Sequence, residues 1–185
     1  MFRVWSTKLD DPGELWRPTY PLTEAARKKR AAWDPVNDTV ARGCEPKGMP
    51  TIMEQPYPME FVQLSNSILL RMEEYDTVRT IHMGNKVSRA SLPRDRLGRS
   101  TGRWEGKTLV VETDGITWPW LDPSGTPLSA AASLVERFVL QPDGTRLHYS
   151  VLITDPQTLT EPVELKRSWV ARPNETVKPY NCGRP

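Results

Sequence analysis

From Met59 onward, apolar residues recur at every second position in short runs, and this period limits the fold more than any other property of the chain. A period of two sets one side of each run against a core and the other in water, the pattern of a half-buried β-strand. The runs cover 59–65, 67–75, 78–83, 99–104, 108–114, 134–140, 146–153 and 163–170. Between them lie Ser65-Asn66, Asp76-Thr77, Glu105-Gly106-Lys107 and Gln141-Pro142-Asp143-Gly144, compositions that close antiparallel hairpins. The expected fold is mainly β: an antiparallel up-and-down, lipocalin-like β-barrel of about eight strands. Closure would remove the exposed edges and leave space for one ligand. A two-sheet sandwich satisfies the same pattern and is the alternative.

Residues 1–57 lack this alternation and are rich in proline, so they read as an arm that wraps the barrel (58–185) without joining its sheet. Within the arm, Thr23 is placed to cap a helix over 23–33, and Asp34-Pro35 stops it. Trp5, Trp16 and Trp33 are the arm's anchors, expected on the barrel's outside or across its mouth. A second break spans 115–132, where Trp118 and Trp120 flank Pro119. So long a loop reads either as a lid or as ordinary packing at the barrel end. A chain of 185 residues suits one domain, 1–185.

The 25 basic and 23 acidic residues balance to a net charge of +2, which argues against a nucleic-acid footprint. The one basic run, Arg27 to Arg30, reads as a solvated helix face. No stretch reaches the roughly 18 apolar residues of a membrane helix, and no export signal precedes Phe2, so the chain as written is expected to be cytoplasmic. Two histidines and two distant cysteines, Cys44 and Cys182, do not have the spacing of a metal site. The cysteines are either two thiols or one bridge. Glycine-rich nucleotide motifs and the serine-hydrolase elbow are missing, so no cofactor is expected.

Three charges fall at the parity of apolar residues. Glu74 continues Ile68, Leu70 and Met72; Glu136 lies among Leu134, Phe138 and Leu140; Arg167 lies among Val163, Leu165 and Trp169. An inward charge costs several kcal/mol unless it is paired or meets a ligand. Arg167 could neutralise one carboxylate and leave the other with a raised pKa, suited to general acid or base work. His82 is a candidate partner, and Trp104, Trp118, Trp120, Tyr149 and Met72 are candidate walls for a ligand. The expected function is a cofactor-independent enzyme that binds a hydrophobic small molecule, aromatic, polyketide- or terpene-like. It would catalyse isomerisation, cyclisation or elimination. The alternative is a non-catalytic carrier or sensor, and a third reading is a filled barrel whose Glu–Arg pair only fixes register. A homodimer is left open.

The runs Phe2-Arg3-Val4-Trp5-Ser6, Glu73 to Met83 (EEYDTVRTIHM) and Gly102 to Val111 (GRWEGKTLVV) resemble a bacterial family of exported, β-rich, lipocalin-like proteins without an assigned reaction. Arg42 to Pro50, Val135-Glu136-Arg137-Phe138, Thr154-Asp155-Pro156 and Lys178-Pro179-Tyr180 extend the match over most of the chain. The resemblance implies a shared fold and pocket, periplasmic or secreted relatives, and a Cys44–Cys182 bridge. The chain departs from the family in starting almost at its first motif, with no signal peptide, and in carrying Arg99, Leu128 and Ala130-Ala131-Ala132 where relatives are more polar or aromatic.

Overall fold

The structure is a computed structural model that describes residues 1–7, 19–38, 44–84 and 87–183. Trp16, expected as an anchor, lies outside the described residues, as do Arg42 and Gly43 of the resembling segment. Nine strands close one barrel in chain order. They are β1 (Val4–Ser6), β2 (Met59–Gln63), β3 (Ser67–Met72), β4 (Thr77–Met83), β5 (Arg99–Glu105), β6 (Thr108–Asp114), β7 (Ser133–Leu140), β8 (Arg146–Thr154) and β9 (Val163–Ala171).

The ninth strand corrects the expected eight, and it comes from the arm. Trp5 pairs with Met59 of β2 on one side and Ala171 of β9 on the other, so the arm does join the sheet. Three residues are too few to display a period, which is why β1 is invisible to pattern reading. Trp5 is therefore a core residue, fully buried, with its indole N–H donated to the Met1 carbonyl at 2.8 Å.

Nine strands in a ring cannot alternate direction all the way round, so at least one neighbouring pair must run parallel. That pair is β4 with β5, joined at Ile81↔Ser100, His82↔Thr101 and Met83↔Gly102. The wholly antiparallel barrel is thus corrected to a mixed one. The chain between them, 84–98, has to travel back the length of the barrel before β5 begins, as every parallel connection must.

A third correction concerns β3, which ends at Met72 rather than 75. Glu74–Asp76 form a 3₁₀ turn in which Tyr75 and Asp76 take the left-handed conformation at φ 55 and 49. Two such non-glycine residues in succession are strained. Their partners on the C-terminal segment hold them: Asp76 accepts from the Tyr180 amide at 3.1 Å, and the Tyr75 ring lies 4.8 Å from that of Tyr180.

Burial alternates along most strands as the period requires, though Leu109, Val110 and Val111 of β6 are all buried, and a group of aromatic rings lies within the mainly aliphatic core. Phe138 touches Phe61, Tyr149 and Trp169 at centroid distances of 5.2, 4.9 and 6.5 Å. The helix spans Glu24–Ala31, inside the expected 23–33, and the Thr23 hydroxyl caps it by accepting from the Ala26 amide. It packs where β8 leaves the barrel, since Thr23 donates its amide and hydroxyl to the carbonyls of Thr158 and Gln157.

That end of the barrel is sealed by the segment 47–55 together with the 115–132 loop. Met49, Ile52 and Met53 are buried in the core cluster. The Trp118 indole donates to Thr51 Oγ1 at 2.9 Å, and Thr51 in turn donates to the Trp120 carbonyl. Only glycine fits at position 48, because a Cβ there would collide with the Arg96 carbonyl and the Trp118 side chain. Of the two states open to the cysteines, the structure has the bridge, Cys44–Cys182, which ties the start of this segment to the C-terminus.

Candidate functional site

Two inward polar groups of the barrel pair with each other in full. Arg79 on β4 faces the same way as Thr77 and Ile81, and it reaches across the interior to both oxygens of Glu136 on β7. The remaining donors of Arg79 go to Ser100 and Thr113, and Tyr149 donates its hydroxyl to Glu136 at 3.0 Å. Burial works against the Arg79 charge, but the field and hydrogen bonds of Glu136 outweigh it and the guanidinium pKa rises. Burial, and then the Glu136 charge, push the Tyr149 hydroxyl well above the ordinary phenol value, so it stays a donor. Every polar atom of this group is engaged, and Glu136 and Arg79 are 0% and 1% exposed.

The expected partner of Glu136 is therefore not Arg167 but Arg79, and the expected Arg167–Glu74 pair is not formed either. Glu74 is buried, though from the turn rather than from a strand. It accepts from the Lys47 ammonium at 2.9 Å through one oxygen, while Oε2 is buried without a partner. Arg167 is inward on β9, directly opposite Tyr149. It donates to Thr7 Oγ1 at 2.6 Å and sits over the Trp169 ring at 6.0 Å, and its Nε is buried without a partner. Among the described residues no carboxylate stands within ion-pair distance of it.

What faces Arg167 electrically is Glu54, at the C-terminal end of the 3₁₀ turn Thr51–Glu54. Burial raises the Glu54 carboxyl to about 7; Arg167 and Lys47 pull it down, and Asp122 and Glu74 push it up. Burial lowers the Arg167 pKa, and Glu54 opposes that. Glu54, Arg167, Lys47 and Glu74 thus form one electrostatic group at the sealed end of the barrel. Gln55, next to Glu54, adds a buried Oε1 with no partner.

The other expected residues are scattered. His82 is on the outer face, paired in register with Ser67 and Thr101, far in topology from the interior that holds Glu136. It borders an external groove of about 250 Å³ along the parallel seam, with Leu92, Pro93 and Asp95. Trp104 is 43% exposed at the opposite end and packs edge-on to Phe2, so it walls no interior space. Trp118 and Trp120 lie in the loop over the sealed end, Trp120 edge-on to Trp33. Met72 and Tyr149 are interior packing residues. A larger groove, about 400 Å³, runs over the outer face of β7, β8 and β9 past His148 and Lys166.

Arg79, Glu54, Lys47 and Trp169 were not expected in the site. Arg79 carries a usable signal, since the run Thr77, Arg79, Ile81, Met83 has a guanidinium at inward parity. Glu54 and Lys47 carry none, because an irregular segment has no period. Among the described residues no group of His, Cys, Asp and Glu could hold a metal ion. No protein-family model matches the chain, and no curated protein or solved structure matches it either.

Proposed function

We infer that the chain is a cofactor-independent, lipocalin-like barrel that binds a hydrophobic small molecule at its sealed end and carries out acid–base chemistry there. What supports this reading is the charged group at that end: Arg167 Nε and Glu74 Oε2 are buried without partners, Lys47 holds the other oxygen of Glu74, and the Glu54 carboxyl, within their electrostatic reach, is raised by burial to about 7. A carboxyl that is half protonated near neutrality can both give and take a proton, and a cation beside it can steady the anion formed when a carbon loses one. Isomerisation, cyclisation and elimination all need that pair of roles. Glu54 takes the role first given to Glu136, whose two oxygens are filled by Arg79, Tyr149 and Thr113, and shares the end with Glu74, which holds Lys47 through Oε1 and keeps Oε2 without a partner. Kinship with the exported β-rich family belongs to the same proposal, and the Cys44–Cys182 bridge supports maturation in an oxidising compartment.

A carrier or sensor is the second reading, favoured by the closure of that end over buried Met49, Ile52 and Met53. Incubating the protein with small-molecule extracts in D₂O separates the two. An acid–base enzyme exchanges carbon-bound hydrogen of its substrate for deuterium, seen as a one-unit mass gain that disappears in Glu54→Gln. Retention of a molecule by the protein without any deuterium gain would establish the carrier instead.

A further inference from the structure

Arg167 and Trp169 occupy successive inward positions of β9, and each holds a buried N–H donor with no acceptor. Arg167 is 6% exposed and Trp169 1%, so bulk solvent does not reach these donors. Buried donors are almost always satisfied, and leaving one unmade costs roughly 1–3 kcal/mol, more for a charged group. A buried guanidinium with no carboxylate at ion-pair distance adds the larger cost of an uncompensated charge. Arg79, the other buried arginine among the described residues, is given Glu136, Ser100 and Thr113. Arg167 is given one hydroxyl, that of Thr7, and an aromatic face.

We propose that Arg167 and Trp169 form an anion seat inside the barrel, and that the ligand of this protein carries a carboxylate or an equivalent oxyanion on an apolar body. The inference rests on the reading of the sealed end as a binding site and names its substrate class. The anionic oxygens accept from Arg167 Nε and Trp169 Nε1, and the apolar body packs against the rings of Phe138, Tyr149 and Trp169. Glu54, which acts electrically on Arg167, then stands near the bound head group rather than near its tail.

The test uses the full chain and three probes: benzoate, 4-phenylbutyrate and the neutral isostere 4-phenylbutyramide. Calorimetry gives the affinities, and the indole N–H resonance of Trp169 reports the seat. At least one carboxylate is expected to bind, 4-phenylbutyrate about tenfold or more tighter than its amide, with a downfield shift of the Trp169 indole proton. Arg167→Met removes that preference. Should Arg167→Met fail to fold, Trp169→Phe keeps an aromatic ring while removing the donor with part of the indole, and is expected to weaken carboxylate binding several-fold while sparing the amide. Absence of binding by both carboxylates, equal affinity for acid and amide, a preference that survives Arg167→Met, or one that is undiminished in Trp169→Phe overturns the proposal. Glu54→Gln is read for deuterium exchange only: loss of exchange there, with the acid–amide preference of the wild-type chain abolished by Arg167→Met, bears on the chemistry alone. A failed anion seat alongside persisting exchange removes the seat and leaves the acid–base reading standing.

Discussion

Arg79 and Glu136 pair where neither can reach water, so their value lies less in net stability than in what happens when one is removed. Replacing one member of a buried pair strands the other charge, at a cost of about 3–5 kcal/mol, whereas neutralising both removes that penalty. Glu136→Gln is therefore expected to lower the urea midpoint by more than the double variant Arg79→Met/Glu136→Gln does, with unchanged m-values. Tyr149 keeps an acceptor in both. A double variant weaker than either single one would show that the hydrogen bonds matter more than the charges. Glu54 makes the opposite kind of prediction. Its folded pKa, about 7, is above the ordinary carboxylate value, so between the two the folded state binds more protons than the unfolded one. Stability from this group is fully present at acid pH and falls as pH rises towards about 7. Glu54→Gln should flatten that slope and leave the protein more stable than wild type at pH 8. An unchanged slope in urea melts across pH 5 to 8, roughly the span of the shift, would remove Glu54 as the titrating group. At this scale the sequence displayed Arg79 through its parity but hid Glu54, since only the folded segment 47–55 brings it to Arg167.

β1 is three residues long, yet it alone joins β2 to β9 and converts an eight-stranded open sheet into a closed barrel. Its central side chain is the fully buried Trp5, so Trp5→Ala opens a large cavity and is expected to cost about 3–5 kcal/mol. Deleting residues 1–6 does something different in kind. It leaves β2 and β9 with unpaired edges, and exposed edges template association between chains. Light scattering should rise on warming for the truncated chain and stay low for Trp5→Ala near neutral pH; equal behaviour would mean that closure contributes nothing beyond packing. The eight longer strands were legible because most bury one face and so write a period into their sequence, β6, with Leu109, Val110 and Val111 all buried, being the exception. β1 was not, and neither was the parallel joint of β4 with β5. That joint follows from the strand count, and a count wrong by one reverses the parity of the ring. Glu74 misled for a related reason: alternation ran on past Met72, while Tyr75 and Asp76 turned the backbone into a left-handed bend that no period records.

The disulfide links residues 138 apart in sequence, so nearly the whole barrel lies inside the loop it closes. In the chain-entropy account a loop of that length restricts the unfolded state by about 5 kcal/mol, an upper figure for what reduction removes. The folded molecule has a second hold on the same segment. Glu73 accepts from the Lys178 amide, Asp76 from the Tyr180 amide, and Tyr180 packs between Tyr57 and Tyr75. This clasp joins the 73–76 turn to the segment Lys178-Pro179-Tyr180. The bridge also anchors the arm three residues before Lys47, and the arm goes on to Glu54, so it bears on the site as well as on stability. Hydrogen exchange of the Cys44→Ser/Cys182→Ser variant should lose protection first at the amides of Lys178 and Tyr180, while β7 and β8 stay protected until global unfolding. With the arm released, Lys47 is expected to leave Glu74, and the Glu54 titration should move from the position it holds in the bridged protein. Lys47 pulls that pKa down, so its departure raises it. A titration that stays in place while the Tyr180 amide opens would mean that the clasp and the site are independent, and that the sealed end keeps its geometry without the covalent tie.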